Sequence, residues 1–260
     1  MNFNIYHSPK LNIQLTLIAQ TIILKTEEID KILDKYYGTV NPQIIDESKF
    51  FKEIILETSK EKLDEYFSIG RDVYDQLLEP IKKFLEDASL ALSMYENTKE
   101  FISKITLEDI KNRKPIDGIP LDQFQRLLFI YAHSFLDAIV KIANTIFVMT
   151  KQNKTPFIPD DVREKLTILK DEFDNEFPHV RDIRHSWQHI EDRMRGKGQN
   201  EKNIESLMLV LSTLYNDNLT YTISDGTQHH ITINLDTFKR AEYYVQQTFD
   251  SFKWVKGRNR

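Results

Sequence analysis

A long apolar segment, Leu121 to Met149, constrains the fold of this chain more than any other feature. The segment contains neither Gly nor Pro and is mostly apolar, so the sequence predicts one long, well-buried helix. A stretch with two prolines and one glycine, Lys114 to Pro120, precedes it, and a loop through Pro156 and Pro159 follows it. We therefore expect a structural boundary near residue 120.

The whole chain has few residues that break helices. Of its 260 residues, 7 are Gly and 8 are Pro, which is about half the ordinary combined frequency of roughly 12%. With 40% hydrophobic and 29% charged residues, a chain of this length can bury a sizeable core. We predict a mainly α protein with an N-terminal helical region over residues 1–115 and a second helical domain over residues 120–260.

Start signals place three more helices in the second domain, and a small sheet interrupts them. Asp160-Asp161 opens a helix that runs to Phe177, Pro178 starts the next one, and Leu235 to Trp254 forms the last. Between residues 207 and 233, alternation and β-branched residues predict a small antiparallel β-hairpin or three-stranded sheet. The expected strands are Leu207 to Tyr215, Leu219 to Ile223 and His230 to Ile233, with Ser224-Asp225-Gly226 as the hairpin turn.

Charge and composition exclude several classes of protein. The chain has no Cys, so disulfides, thiolate metal sites and a Cys nucleophile are absent. A net charge of −5 argues against a general nucleic-acid coat, although Arg181 to Lys197 and Lys253 to Arg260 are locally basic. No Gly-rich phosphate loop is present, which disfavours nucleotide kinases and dehydrogenases.

The N-terminus has no basic region leading into an apolar run. The most lipid-like stretch, Leu11 to Leu24, is interrupted by polar residues and is shorter than the roughly 20 residues that cross a bilayer. We therefore expect a soluble cytoplasmic protein without a membrane partner.

The segment from Val180 to Arg195 carries the chemistry. On a continuous helix, at about 100° per residue, one narrow arc holds the apolar residues and predicts the buried face. Those residues are Val180, Ile183, Trp187, Ile190 and Met194. On the opposite arc, Arg184 and His189 lie about 7.5 Å apart along the axis. A guanidinium arm can span that gap toward a phosphate held beside the imidazole.

An Arg and a His that converge on one phosphodiester are sufficient for metal-free RNA cleavage. The imidazole can take or supply a proton near neutral pH, and the guanidinium stabilises the phosphate charge. Two other interpretations stay open. One is a solvated polar helix face. The other is a zinc site on His185 and His189, although Ser186 occupies the position of the glutamate in the zinc helix and the neighbouring arginines repel a cation.

The string Arg184-His185-x-x-x-His189 resembles the R-x4-6-H motif of the HEPN superfamily, the all-helical domains of many prokaryotic toxins and antiphage ribonucleases. Asp182 before the motif and Glu191-Asp192-Arg193 after it are similar to a common form of that helix. The resemblance covers residues 120–260 and leaves residues 1–115 without an assigned role. It implies an antiparallel four-helix bundle that forms a homodimer, with one composite cleft between the two motif helices.

The same resemblance implies a metal-independent endoribonuclease of toxin–antitoxin or antiphage defence, with no cofactor and no metal. Arg184 and His189 would be the catalytic pair and His185 an auxiliary residue, giving 2′,3′-cyclic phosphate and 5′-hydroxyl ends. We expect further substrate contacts from the neighbouring residues Arg181, Gln188, Arg193 and Arg195. The expected partners are RNA, a second copy of the chain, and an antitoxin or other defence protein. The alternative is a non-catalytic, dimeric HEPN-like module that binds protein or RNA.

Three further groups of polar or aromatic residues stay ambiguous. A polar stripe on the long helix either borders the same cleft or is a structural hydrogen-bonded stripe; it consists of His133, Asp137, Lys141 and Asn144. His229 and His230 are adjacent on a strand, so they point to opposite faces and are expected to be surface residues. Trp254 either stacks on a base or anchors a helix end.

Overall fold

A computed structural model describes residues 7–11, 74–112, 115, 119–195, 197 and 212–252. Several sequence predictions lie outside these residues: the helices before residue 74, the first part of the predicted strand Leu207 to Tyr215, and the basic tail with Trp254.

The described part of the chain is mainly helical, as predicted, and carries one small sheet. A π-helical turn, Tyr74–Leu78, leads into the first α-helix. The helices and strands are α1 (Glu79–Ser103), α2 (Leu107–Asn112), α3 (Leu121–Met149), α4 (Asp160–Glu176), α5 (Val180–Gln188), α6 (Ile190–Met194), β1 (Thr213–Tyr215), β2 (Asn218–Thr222), β3 (Gln228–Thr232) and α7 (Leu235–Asp250). The more specific HEPN bundle stays a prediction.

The three strands form an antiparallel sheet in the order β1-β2-β3. Two left-handed residues, Asn216 (φ 47°) and Asp217 (φ 64°), join β1 to β2, a conformation typical of the tight two-residue hairpin turn. The second turn contains Gly226 at φ 88°, and Asp225 accepts a hydrogen bond from the Thr227 N–H at 2.8 Å. The predicted hairpin turn at residues 224–226 is therefore confirmed.

The chain divides into two compact units. The first contains the described residues within 7–10, 83–144 and 171–245, and the second contains residue 11 and the described residues within 74–82, 145–170 and 246–252. The division predicted at residues 115–120 stays a prediction. All residues of the candidate site discussed below belong to the first unit.

The first unit has an aromatic and aliphatic core. The Phe101 and Phe124 rings lie 4.9 Å apart, and Phe173 contacts Tyr244 edge to face at 5.2 Å. Fully burying side chains of this size contributes about 1.5–3 kcal/mol each. Further side chains of this core that are buried almost completely are Leu85, Leu92, Phe135, Leu136, Ile139, Leu219, Tyr221 and Phe238.

Helix α3 is a core helix of the protein. By length and composition alone, Gln123–Met149 is long and apolar enough to cross a membrane. In the structure many of its apolar side chains, including Phe135 and Ile139, are buried inside the protein. It also carries the ion pair of Asp137 with Lys141, at 2.8 Å. The buried apolar side chains and this ion pair show that α3 packs against other parts of the protein.

In the second unit, one arginine holds the connection that follows α3. Arg163 Nη1 donates to the Met149 carbonyl oxygen at 3.1 Å, and Nη2 donates to the carbonyl oxygens of Thr155 and Ile158 at 2.8 and 2.9 Å. The last carbonyls of a helix have no partner within the helix. The guanidinium supplies that partner and fixes the loop at the same time.

Candidate functional site

The motif helix α5 is shorter than its periodicity predicts. It begins after His179, whose backbone is left-handed (φ 60°), and ends at Gln188. His189 still donates its N–H to the His185 carbonyl oxygen at 3.1 Å, but its own backbone (φ −115°, ψ 42°) leaves the helix, and α6 starts at Ile190. The prediction of one continuous helix through the motif is therefore wrong.

The position of the break follows from what the helix packs against. Helix α5 contacts strands β2 and β3, and Val180, Ile183 and Ser186 are its buried residues. The predicted apolar face does not continue beyond this contact, since Met194 is 68% exposed. Because little apolar surface is buried beyond Gln188, packing stabilises a continuous helix there only weakly.

Arg184 is held by two neighbours. Its Nε donates to Asp137 Oδ1 at 2.6 Å, and its Nη1 donates to Gln188 Oε1 at 3.1 Å. Asp137 is also paired with Lys141 at 2.8 Å. Burial raises the pKa of the Asp137 carboxyl, but hydrogen bonds and charge from Lys141 and Arg184 outweigh burial and bring it below its usual value. The carboxylate is therefore ionised at neutral pH.

The two motif histidines form a ring pair. The His185 and His189 imidazoles lie 4.4 Å apart, centre to centre, and are tilted by 45°. His189 Nδ1 lies 3.7 Å from Asp192 Oδ2. The Asp192 carboxylate also accepts a hydrogen bond from the Arg195 guanidinium. Arg195 therefore binds the same carboxylate that lies beside His189.

Arg181 braces α5 against its neighbours. Its guanidinium donates to Asn144 Oδ1 at 3.0 Å, to Asp174 Oδ1 at 2.6 Å and to the Ala143 carbonyl oxygen at 3.0 Å. Asn144 and Ala143 belong to α3, and Asp174 belongs to α4. The contacts seen in the structure are therefore structural, and the contact of Arg181 with substrate stays a prediction.

An open cavity of about 280 Å³, the arginine cavity, lies beside the motif helix. It is lined by Val140, Asn144, Arg181, Asp182, Arg184, His185, Gln188 and Ser224. The structure thus brings together four predicted site residues, Arg181, Arg184, His185 and Gln188. His189 and Arg195 are not part of this lining, and the Arg193 side chain lies outside the described residues.

The polar stripe of α3 faces the motif helix. Asp137 and Asn144 bind Arg184 and Arg181, as described above. His133 stacks on Trp187, with ring centres 4.4 Å apart and planes 7° apart, and is hydrogen-bonded to the Tyr221 hydroxyl. Burial lowers the pKa of His133 to about 4. The stripe is therefore hydrogen-bonded, and Asn144 also lines the arginine cavity.

Sequence reasoning missed Ser224 as a residue that lines the cavity. The sequence predicted that Ser224 lies in a hairpin turn. No local pattern, however, relates that turn to helix α5, some 40 residues earlier. His229 is partly rather than fully exposed, and its ring lies 3.8 Å from that of His179. Burial, and then the charge of His179, lower the pKa of His229. His230 is exposed, as predicted.

The residues that the structure describes contain no cluster of three or more His, Cys, Asp or Glu side chains arranged to hold a metal ion. The His185 and His189 pair thus has no third ligand of this kind within the described ranges. No known protein family, characterised protein or solved structure matches the chain. The site must therefore be interpreted from its own chemistry, which combines cationic donors with imidazoles at an open cavity.

Proposed function

We propose that the protein is a metal-independent endoribonuclease of the HEPN type, acting in the cytoplasm in toxin–antitoxin or antiphage defence. The observation that carries the proposal is the shared cavity: Arg184 and His185 line it together, and the His189 ring lies 4.4 Å from the ring of His185. A cation and an imidazole at one open site are the groups that phosphodiester transesterification requires.

Arg184 binds the scissile phosphate in this proposal. Two of its nitrogens, Nε and Nη1, bind Asp137 and Gln188. Its Nη2 makes no hydrogen bond to any residue within the described ranges. Arginine carries five N–H donors, so donors are left to bind phosphate oxygens while Asp137 fixes the orientation of the guanidinium.

His189 and a group of the second chain move the protons in this proposal. One imidazole takes the proton from the 2′-hydroxyl, which attacks the phosphorus, and the 5′-oxygen leaves with a proton. His189 is the proposed acid–base residue, and His185, whose ring lies 4.4 Å from that of His189, lines the cavity. The products are a 2′,3′-cyclic phosphate and a 5′-hydroxyl. In a homodimer, the second motif helix supplies the remaining proton-transfer group.

The test is cleavage of labelled single-stranded RNA in the presence of EDTA. We expect the wild-type chain to cut, and Arg184→Ala and His189→Ala each to cut at least about 100-fold more slowly. Arg184→Lys keeps a positive charge beside Asp137 but lacks the guanidinium that binds phosphate through two nitrogens. A slow Arg184→Lys variant that is folded by circular dichroism therefore has lost the phosphate contact and not the fold.

Arg126→Ala is the matched control, because Arg126 is an exposed residue of α3 and the substitution removes the same charge. Its cleavage rate should equal that of the wild type. Intact RNA with the wild-type protein, or equal cutting by Arg184→Ala, would refute the proposal.

A second candidate function is a non-catalytic, dimeric module that binds protein or RNA. The internal contacts of Arg181 and the Arg184–Asp137 ion pair favour it, because both guanidinium groups hold α5 in place. Binding of an RNA with a 2′-deoxy nucleotide at the scissile position, which cannot be cut, separates the two candidates. If Arg184 binds phosphate, Arg184→Ala binds this RNA at least severalfold more weakly than the wild type. If the pair is only structural, RNA binding stays constant and the free energy of unfolding falls by about 1–3 kcal/mol.

A further inference from the structure

A second, larger cavity is lined by both side chains that bind Arg184, Asp137 and Gln188. This tryptophan cavity has a volume of about 670 Å³ and is bounded by α1, α3 and the end of α5. Its apolar walls include Leu90 and Ile130, which are 49% and 54% exposed, and Met94. A volume of this size is in the ordinary range for small-molecule sites.

Two aromatic rings contribute to the lining of the cavity. Trp187 and His133 both line it and stack in parallel, with planes 7° apart. With its pKa lowered to about 4, His133 is neutral at pH 7, so the stacked pair carries no charge. An uncharged, half-buried indole is a typical surface for stacking a planar ring.

Polar groups of both kinds accompany these rings. Asp137 presents an ionised carboxylate, Lys141 an ammonium and Gln188 an amide, and all three line the tryptophan cavity. A carboxylate accepts hydrogen bonds from amino groups, and an ammonium or amide donates to ring nitrogens and carbonyl oxygens. This mixture of donors and acceptors matches the edge of a nucleobase better than it matches a purely apolar ligand.

The two cavities share a boundary. Gln188 lines both of them, and Arg184 of the arginine cavity binds Asp137 and Gln188 of the tryptophan cavity. One ribose separates the base from the phosphate of a nucleotide. A phosphate beside Arg184 and a base beside Trp187 are therefore compatible with a single strand.

We propose that the tryptophan cavity binds a nucleobase of single-stranded RNA next to the phosphate held by Arg184, with preference for a base that carries an exocyclic amino group. The base stacks on Trp187, and its amino group donates to Asp137. This inference rests on the proposed function for the identity of the ligand, but it concerns binding and is tested without cleavage.

Fluorescence of Trp187 provides the test. The chain has two tryptophans, so Trp254→Phe leaves Trp187 as the only indole. The titrants are deoxy dinucleotides of cytosine and of uracil, which lack the 2′-hydroxyl and cannot be cut by transesterification. We expect saturable quenching, with cytosine bound severalfold more tightly than uracil because only cytosine has the amino group.

Ser134→Leu in the same background places a bulky side chain in the cavity. Ser134 is an exposed residue of α3 that lines it, and its hydroxyl donates to the Ile130 carbonyl oxygen at 2.9 Å. We expect at least about fivefold weaker binding. Thr167→Leu is the matched control, since Thr167 is exposed, donates to the Arg163 carbonyl oxygen at 2.8 Å and does not line the cavity.

Each outcome separates this inference from the endoribonuclease proposal. No saturable quenching, or equal binding by Ser134→Leu and wild type, overturns the nucleobase site even if RNA is cleaved. Quenching without any RNA cleavage supports the nucleobase site and overturns the endoribonuclease. If Ser134→Leu instead changes the molar mass in light scattering and not the binding of nucleotides, a second copy of the chain occupies the cavity and the inference is wrong.

Discussion

The contact between Arg184 and Asp137 joins two residues that are 47 positions apart. Both side chains are about one-quarter exposed, so neither charge is fully hydrated. Removing one member of such a pair costs more than the pair itself contributes, because the other charge stays partly buried without its partner. Asp137 is therefore as important for keeping Arg184 in place as any residue of the motif helix.

His133 makes stability depend on pH. The folded protein binds a proton at His133 only near pH 4, whereas the unfolded chain binds it near pH 6.5. The unfolded state thus holds more protons between these values, and stability falls as the pH decreases through this window. We expect the Tm of the wild type to decrease from pH 6.5 toward pH 4.

His133→Phe keeps a ring against Trp187 and removes this titration. Its Tm should be lower at pH 7, where the hydrogen bond to the Tyr221 hydroxyl is lost at a cost of about 1 kcal/mol. Its Tm should then change less than that of the wild type between pH 6.5 and pH 4. Parallel pH profiles of the two proteins in thermal melts would contradict the assignment.

At the scale of elements, the turn between β1 and β2 is hydrogen-bonded to α1. Asp217 Oδ1 accepts a hydrogen bond from the Tyr95 hydroxyl at 2.9 Å and one from Lys99 Nζ. Burial raises the pKa of the Tyr95 hydroxyl, as do the hydrogen bond and charge of Asp217. The turn therefore positions the sheet, against which α5 packs, through a buried hydroxyl.

Asp217→Ala should lower the free energy of unfolding by about 1–3 kcal/mol. It leaves the buried Tyr95 hydroxyl without its acceptor and places alanine at a left-handed position, φ 64°. Asp217→Asn tolerates the left-handed backbone and keeps an acceptor, so it should recover part of the loss. Urea denaturation measures all three proteins, and an unchanged midpoint for Asp217→Ala would contradict the role of this turn.

The elements that were predictable have strong local signals. Helix α3 has the predicted bounds because proline-containing segments flank an apolar run, and α4 starts at its acidic first turn. The break after Gln188 has no such signal, since neither Gly nor Pro lies between Val180 and Arg195. It depends on where the contact with the sheet ends, which is a tertiary effect.

The sequence predicted which residues of the two helices belong to the site, but not which of them bind each other. The motif residues and the α3 stripe were both recognised from spacing along their own helices. That Asp137 binds Arg184, or that Asn144 binds Arg181, depends on how two helices align in space. Periodicity within one helix does not determine that alignment.

For the whole molecule, the proposed composite site requires two chains. We expect light scattering to give about twice the 30.8 kDa of one chain. Met194, on α6 directly after the motif, is 68% exposed, and an exposed apolar side chain beside a proposed interface is a natural contact. Met194→Lys should therefore weaken the dimer.

Ile168→Lys is the comparison variant, because Ile168 is an apolar residue of α4 that is 57% exposed. It should leave the molar mass unchanged. A monomer at micromolar concentration for the wild-type chain would argue against a composite site, as would a dimer equally resistant to both substitutions.

The guanidinium of Arg163 also has a consequence for how the sequence can vary. Residues 151–154 of the loop that it holds are exposed, so substitutions there disturb little. Position 163 itself accepts few replacements, because lysine offers one ammonium where three carbonyl oxygens from Met149, Thr155 and Ile158 converge. In a mutational scan, residues 151–154 would tolerate most substitutions, whereas the buried loop residues Thr155 and Ile158, and Arg163 outside the loop, would not.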